Sequence, residues 1–325
     1  MVGHKISLDE IFGGSDGVVS SSRKITSDDS QYVYYDKDDG HVAWPTDRIK
    51  VRRDLVDIST LADFEAMLDP GFFCGGTRRG RHQRYNQIVN GSGYKGPYGI
   101  SEGDSWHLYP FLIKEIIDQF IHGGKDSLAI WSTDCAGDTL EAMWQDRNKL
   151  YEYLNYLRYH YRERMPSFML LSGGGNDLLG SGRLYVMLKD FQAGMGAKDL
   201  IDGVQTAAAV SRVMYYFDLI LDEMGASYPM KVIIHGYDYP VPMNDIWIEK
   251  PMRQRSIVDK KLQREVIREF MDYYNDRLRE TLGKHSNAKY VDVRNLVTDE
   301  ADWHDEIHPK SRGFEVIARK IRREI

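Results

Sequence analysis

The sequence predicts an α/β protein with three layers, built on a mostly parallel five-stranded sheet and preceded by an N-terminal β-containing appendage. From Tyr98 onward, short apolar runs alternate with stretches whose apolar residues recur at helical spacing. That is the pattern of parallel strands joined by crossover helices. Five such runs occur, enough for a sheet covered on both faces. Before Tyr98 the alternation is missing, and turn-forming clusters separate brief aromatic and β-branched runs. The chain therefore divides into an accessory region, 1–97, that could cap the core, and a core domain, 98–325.

In the accessory region, residues 13–30 are rich in Gly, Ser and Asp and read as loop. QYVYY and HVAW flank DKDDG, which predicts a β-hairpin. IKVRRDLVDI reads as a further strand, and STLADFEAMLD as a short helix capped by Ser59 or Thr60. Gly, Arg and Asn dominate from Pro70 to Pro97, where the basic run RRGRHQRYNQ reads as a solvated loop face.

In the core, YGIS is a strand that runs into EGDSW, and HLYPFLIKEIIDQFI has helical spacing. SLAIWS is the second strand and DTLEAMWQDRNKLYEYLNYLRYHYRE one long amphipathic helix. Tyr151, Tyr153, Tyr156, Tyr159 and Tyr161 give that helix a partly buried aromatic face. SFMLLS is a strand that ends at GGGND, VSRVMYYFDLILDEMGA a helix, and MKVIIHGY a strand. A helix follows from Asp259 to about Leu282, then the strand AKYVDV and the closing helix SRGFEVIARKIRREI.

Composition narrows the function classes. With 43 basic and 49 acidic residues the formal charge is −6, which gives no reason to expect a nucleic-acid partner. No apolar run reaches the length of a membrane span. The opening MVGHKISLDEIFGG lacks a signal-peptide core, so the expectation is a cytoplasmic protein, or one whose leader precedes this sequence. Cys74 and Cys135 make neither a disulfide framework nor a zinc signature.

Ligands of parallel α/β sheets sit beyond the carboxyl ends of the strands, and the unusual residues collect there. At the first strand end come Gly103, Asp104, Ser105 and Trp106. Alone this is an ordinary capped helix start. A serine exposed at such a turn becomes a nucleophile if a base lies within hydrogen-bond reach. After SLAIWS, Gly137 could bring a backbone N–H close to a ligand. After SFMLLS, the glycines of Ser172-Gly173-Gly174-Gly175 precede Asn176, whose amide can donate to a developing oxyanion. Before the last helix, Asp305 stands three residues ahead of His308, so it can hold one imidazole nitrogen while the other faces a nucleophile. Pro309 keeps His308 out of helical geometry.

GDSW, Gly137, GGGND and DEIHP, in that order and beside predicted strands, resemble the four blocks of the SGNH (GDSL-type) hydrolase superfamily over about 98–325. The resemblance implies a flavodoxin-like SGNH core and ester hydrolysis through an acyl-enzyme, with no metal or organic cofactor. Ser105 would be the nucleophile, His308 the base and Asp305 its orienting partner. The N–H groups of Ser105 and Gly137 and the side chain of Asn176 would form the oxyanion hole. Trp106 stands where the family more often has an aliphatic residue. Asp104, Trp106 and Tyr237 of HGYDYP are candidate substrate contacts. The partner is then a small-molecule, carbohydrate or lipid ester. Three other readings compete. Acyl transfer would use the same triad. HDEIH at 304–308 would be a zinc motif if helical. A binding protein could also use the same fold.

Overall fold

The computed structural model describes residues 78–91, 93–109, 113–243 and 246–325, together with four short upstream strands. These are β1 (Ile6–Ser7), β2 (Tyr32–Tyr35), β3 (Ile49–Arg52) and β4 (Val56–Asp57). β1 pairs parallel with β4, and β2 antiparallel with β3. QYVYY pairs with IKVR; HVAW, the partner expected from local turn chemistry, and STLADFEAMLD lie outside the described residues. The IKVRRDLVDI expectation is met by β3 and β4.

The core sheet contains β5 (Tyr98–Glu102), β6 (Ala129–Ser132), β7 (Phe168–Leu171), β8 (Lys231–His235) and β9 (Ala288–Val291). Their spatial order is β6-β5-β7-β8-β9, and every pairing is parallel. Central strands are apolar because both faces are covered: β7 is buried at all four residues, and β8 is exposed only at Lys231. Chain order reverses between β5 and β7, so the crossovers leaving them run in opposite directions and open a crevice above their carboxyl ends.

The helices are α1 (Arg78–Asn90), α2 (Ile116–Ile121), α3 (Leu140–Gln145), α4 (Asn148–His160), α5 (Gly175–Leu179), α6 (Ala197–Leu200), α7 (Gly203–Ser227), α8 (Glu249–Gln254), α9 (Lys260–Leu282) and α10 (Ser311–Arg322). α2 packs with α10, while α7 packs with both α3 and α9. The long helices face the core through 3.6-residue periodicity. α9 buries Val266, Ile267, Phe270, Met271, Tyr274 and Leu278, and its N-terminus is capped by Asp259 accepting from Leu262 N–H at 2.8 Å. None of the described helices is long and apolar enough to cross a membrane.

Three local expectations change. RRGRHQRYNQ is helical, not loop, because α1 lies against β6 and Arg81 points inward with no exposed surface. Arg81 donates to Asp134 at 3.1 Å and Ser132 Oγ at 3.2 Å and pairs with Glu115, so acceptors replace its hydration. The long helix after SLAIWS is two, since Arg147 at the break folds back over the Trp144 ring at 4.0 Å and bonds its carbonyl. Its tyrosines divide along the face: Tyr151 and Tyr153 are half-buried, whereas Tyr156, Tyr159 and Tyr161 are exposed. In HLYPFLIKEIIDQFI the described helix is Ile116–Ile121 alone. Pro110 disfavours helical geometry at the residue before it.

Candidate active site

Ser105 occupies a single turn beyond β5, where the N–H groups of His107 and Leu108 both donate to Asp104 O at 2.9 Å. It is not the first turn of a long helix, as the sequence suggested, so no helix dipole supports it there. The Asp104 carboxylate fastens this turn from below. It accepts from Trp106 N–H and Ser172 Oγ, each at 3.0 Å, and from the Tyr237 phenol. Gly175 N–H donates to that same phenol oxygen at 3.2 Å, which ties the β5 turn to the β7 turn. Burial, reinforced by the Asp104 carboxylate, pushes Tyr237 well above the usual phenol range, so it stays a donor. Asp104 and Tyr237 thus spend their polar atoms on each other.

The segment 303–309 is bend and turn, closed by a bridge between Trp303 and Pro309. Asp305 Oδ1 accepts from the N–H groups of Ile307 at 2.8 Å and His308 at 2.7 Å, winding the loop around its own side chain. Asp305 Oδ2 lies 2.7 Å from His308 Nδ1, and His308 Nε2 lies 2.7 Å from Ser105 Oγ. Burial alone would raise the Asp305 carboxyl; His308 and the Ile307 N–H outweigh it and hold that carboxyl below its ordinary range. Because HDEIH is not helical, His304 and His308 do not share a helix face, as a zinc motif would need. Both nitrogens of His308 are engaged by Asp305 and Ser105.

Sequence reasoning missed what holds this loop. Glu306 is fully buried and accepts from four backbone N–H groups: Met243 at 3.1 Å, Trp247 at 2.9 Å, Ile248 at 2.7 Å and Glu249 at 2.8 Å. Asp238 does the same upstream for Asn295, Leu296 and Val297, at 2.7–2.9 Å. Trp106, the residue unusual for the family, is 3 % exposed and donates from Nε1 to Ile307 O at 3.0 Å. It braces the residue before His308.

Gly174 begins α5 at φ +101°, and a side chain there would strike Tyr274 and Val213. This left-handed start presents Asn176 beside Ser105, and both line one recess. Asn176 Nδ2 donates to Asp138 O at 2.9 Å, so the third block is tied to the second. Gly137 sits at φ +84° on the turn closed by Asp138 N–H on Cys135 O at 3.2 Å; it is exposed and does not line that recess. Asp177 accepts from Leu140 N–H at 3.0 Å and is pushed up to about 6 by burial.

A second aspartate–histidine pair lies deeper. His107 Nδ1 is 3.0 Å from Asp134 Oδ1, and its Nε2 is 3.2 Å from His235 Nε2. His235 Nδ1 meets Gly236 O at 2.7 Å, so that nitrogen carries the proton. Burial and neighbouring His107 push His235 down to about 3, leaving it neutral with Nε2 as acceptor. His107 Nε2 therefore donates to His235. Among the described residues, no group of three or more His, Cys, Asp or Glu side chains could hold a metal ion.

No family model matches the chain, and no curated protein matches it in sequence. Solved structures are similar to it. A phospholipase A1 from Streptomyces albidoflavus NA297 has 16 % identity and a TM-score of 0.46, covering 69 % of this chain and 100 % of that one. An extracellular lipase from Streptomyces rimosus has 13 % identity and a TM-score of 0.43, covering 69 % and 100 %. An acetylxylan esterase from Geobacillus stearothermophilus has 14 % identity and a TM-score of 0.41, covering 70 % and 94 %.

Proposed function

We propose that this chain is an SGNH-type serine hydrolase that cleaves carboxylic esters through an acyl-enzyme. One observation carries the reading: Ser105 Oγ, His308 and Asp305 form a continuous line with both contacts at 2.7 Å, at the crevice where the sheet order reverses. Asp305 accepts a hydrogen bond from Nδ1–H, which keeps that proton on Nδ1 and leaves Nε2 free to take the proton of Ser105. Ser105 Oγ then attacks the ester carbonyl carbon, and the C=O pair moves onto oxygen. Asn176 commits one Nδ2 hydrogen to Asp138 O, and an amide nitrogen has two, so the second serves the oxyanion together with the Ser105 N–H. The Gly137 N–H is proposed as the further donor through the turn that Asn176 fastens. His308 protonates the departing alkoxide, the acyl group stays on Ser105, and water activated by His308 releases the acid. Residues 1–97 are proposed as an accessory region to this core, although α1, within that span, packs on β6.

The test is covalent. A fluorophosphonate probe should add one adduct to Ser105, with Ser105→Ala unlabelled and His308→Ala labelled far more slowly. Equal labelling of wild type and Ser105→Ala would remove Ser105 from its role.

A further inference from the structure

His308 sits between two peptide groups, and both are held. The Ile307–His308 peptide is fixed at each end. Its N–H donates to Asp305 Oδ1 at 2.7 Å, and its carbonyl, Ile307 O, accepts from Trp106 Nε1 at 3.0 Å. In the His308–Pro309 peptide, His308 O accepts from His304 N–H at 2.8 Å, and proline has no N–H to place. Of these three partners, Asp305 and His304 belong to the loop itself and set its shape. Trp106 belongs to the turn that carries Ser105, 201 residues from Ile307 in sequence, so its bond sets where the loop stands. Ser105 meets His308 while Trp106 meets Ile307, so two consecutive residues of the turn grip two consecutive residues of the loop.

A brace works only if its own footing is fixed. Trp106 N–H donates to Asp104 Oδ1 at 3.0 Å, and Trp106 O accepts from Ile116 N–H at 3.3 Å. Its ring stacks on His235 with centroids 5.7 Å apart and makes edge contacts with Tyr237 at 4.8 Å and Phe314 at 5.4 Å. The ring is buried, so packing fixes the direction in which Nε1 points. We propose that Trp106 is a positioning residue of the triad, whose indole N–H sets the separation and facing of Ser105 Oγ and His308 Nε2 through the Ile307–His308 peptide. The proposal rests on the serine-hydrolase reading and adds to it a residue that acts through the base. Proton transfer between these atoms tolerates little drift, since a misplacement of about 1 Å costs about 100-fold in rate. Phenylalanine at 106 would keep most of the ring packing and lose the donor.

The experiment uses the full chain and reads the rate of fluorophosphonate labelling at Ser105, with kcat and KM on p-nitrophenyl acetate. It compares wild type, Trp106→Phe and Trp106→benzothienylalanine, the last keeping the two-ring shape with sulfur in place of N–H. In both variants kcat should fall about 10- to 100-fold with KM within about threefold of wild type, and labelling should slow by the same factor as kcat. In a His308→Ala background, adding Trp106→Phe should change the labelling rate by less than about twofold, because the donor then has no base to place. Wild-type labelling in the sulfur variant would overturn the proposal and leave the serine chemistry standing. So would a raised KM at unchanged kcat, which would make Trp106 a wall of the recess. A further tenfold or greater loss in the His308→Ala background, roughly additive with the first, would also overturn it. If Ser105 is not labelled in wild type, both readings fall. Should Trp106→Phe fail to fold, the sulfur variant, alone and in the His308→Ala background, decides.

Discussion

The Asp305–His308 pair and the Asp134–His107 pair share two residue types and nearly the same separation, 2.7 and 3.0 Å. They differ in what the second imidazole nitrogen meets. For His308 it is Ser105 Oγ, which lines a recess. For His107 it is a neutral histidine, His235, in a fully enclosed network that Arg81 joins through Asp134. A nitrogen that must accept a proton can act as a base; one that already donates cannot. An aspartate beside a histidine is therefore an orienting device, and its consequence depends on the third partner. The outer pair is the one proposed to do chemistry, whereas the inner one fastens β5, β6 and β8 together at their carboxyl ends.

That contrast can be broken in order of expected effect. His308→Ala should lower kcat by several orders of magnitude while its thermal unfolding stays near wild type; full activity in that variant would dissolve the distinction. Asn176→Ala leaves both pairs intact and removes one proposed oxyanion donor. Its kcat should fall about 100- to 1,000-fold with both pairs unchanged, measured under saturating substrate. His107→Gln should behave oppositely, costing about 3 kcal/mol in denaturant unfolding because it leaves buried Asp134 short of a partner, with kcat of the folded fraction within about tenfold of wild type. Loss of kcat at undiminished stability would make the inner pair catalytic.

The smallest effect concerns Asp177, whose carboxyl is pushed up from 3.8 to about 6 by burial. A folded-state value above the unfolded one means the native state holds the proton more tightly. Stability is then fully present below about pH 4 and is lost as pH rises through about 6, by at most about 3 kcal/mol. Asp177→Asn should flatten that slope in melts taken between pH 4 and 7 while keeping an oxygen for Leu140 N–H. An unchanged slope would assign it to other carboxyls.

The five strands were legible because a strand buried on both faces must be a short apolar run bounded by turn residues. The grouping of Ser105, His308 and Asp305 was legible because the proposed chemistry requires particular side chains at particular strand ends. The fastenings were not. Glu306 bonds backbone N–H groups about sixty residues away, and any residue type can supply an N–H. Arg81 sits in a run of arginines that reads as solvated, and only the fold shows which of them meets Asp134 and Glu115. The pairing of β2 with β3 was not legible because pairing obeys packing beyond the local turn. Tyr237, a candidate substrate contact by sequence, lines the recess with Ser105, and its hydroxyl joins two loops, a role no sequence pattern signals.

The Glu306 clamp also has a kinetic signature. Four amides, those of Met243, Trp247, Ile248 and Glu249, are held by one carboxylate instead of by a ladder of separate carbonyls. They cannot be released one at a time, because withdrawing Glu306 frees all of them and slackens the loop between Asp305 and His308. In deuterated solvent these amides should exchange together, at the opening rate of the loop that carries His308.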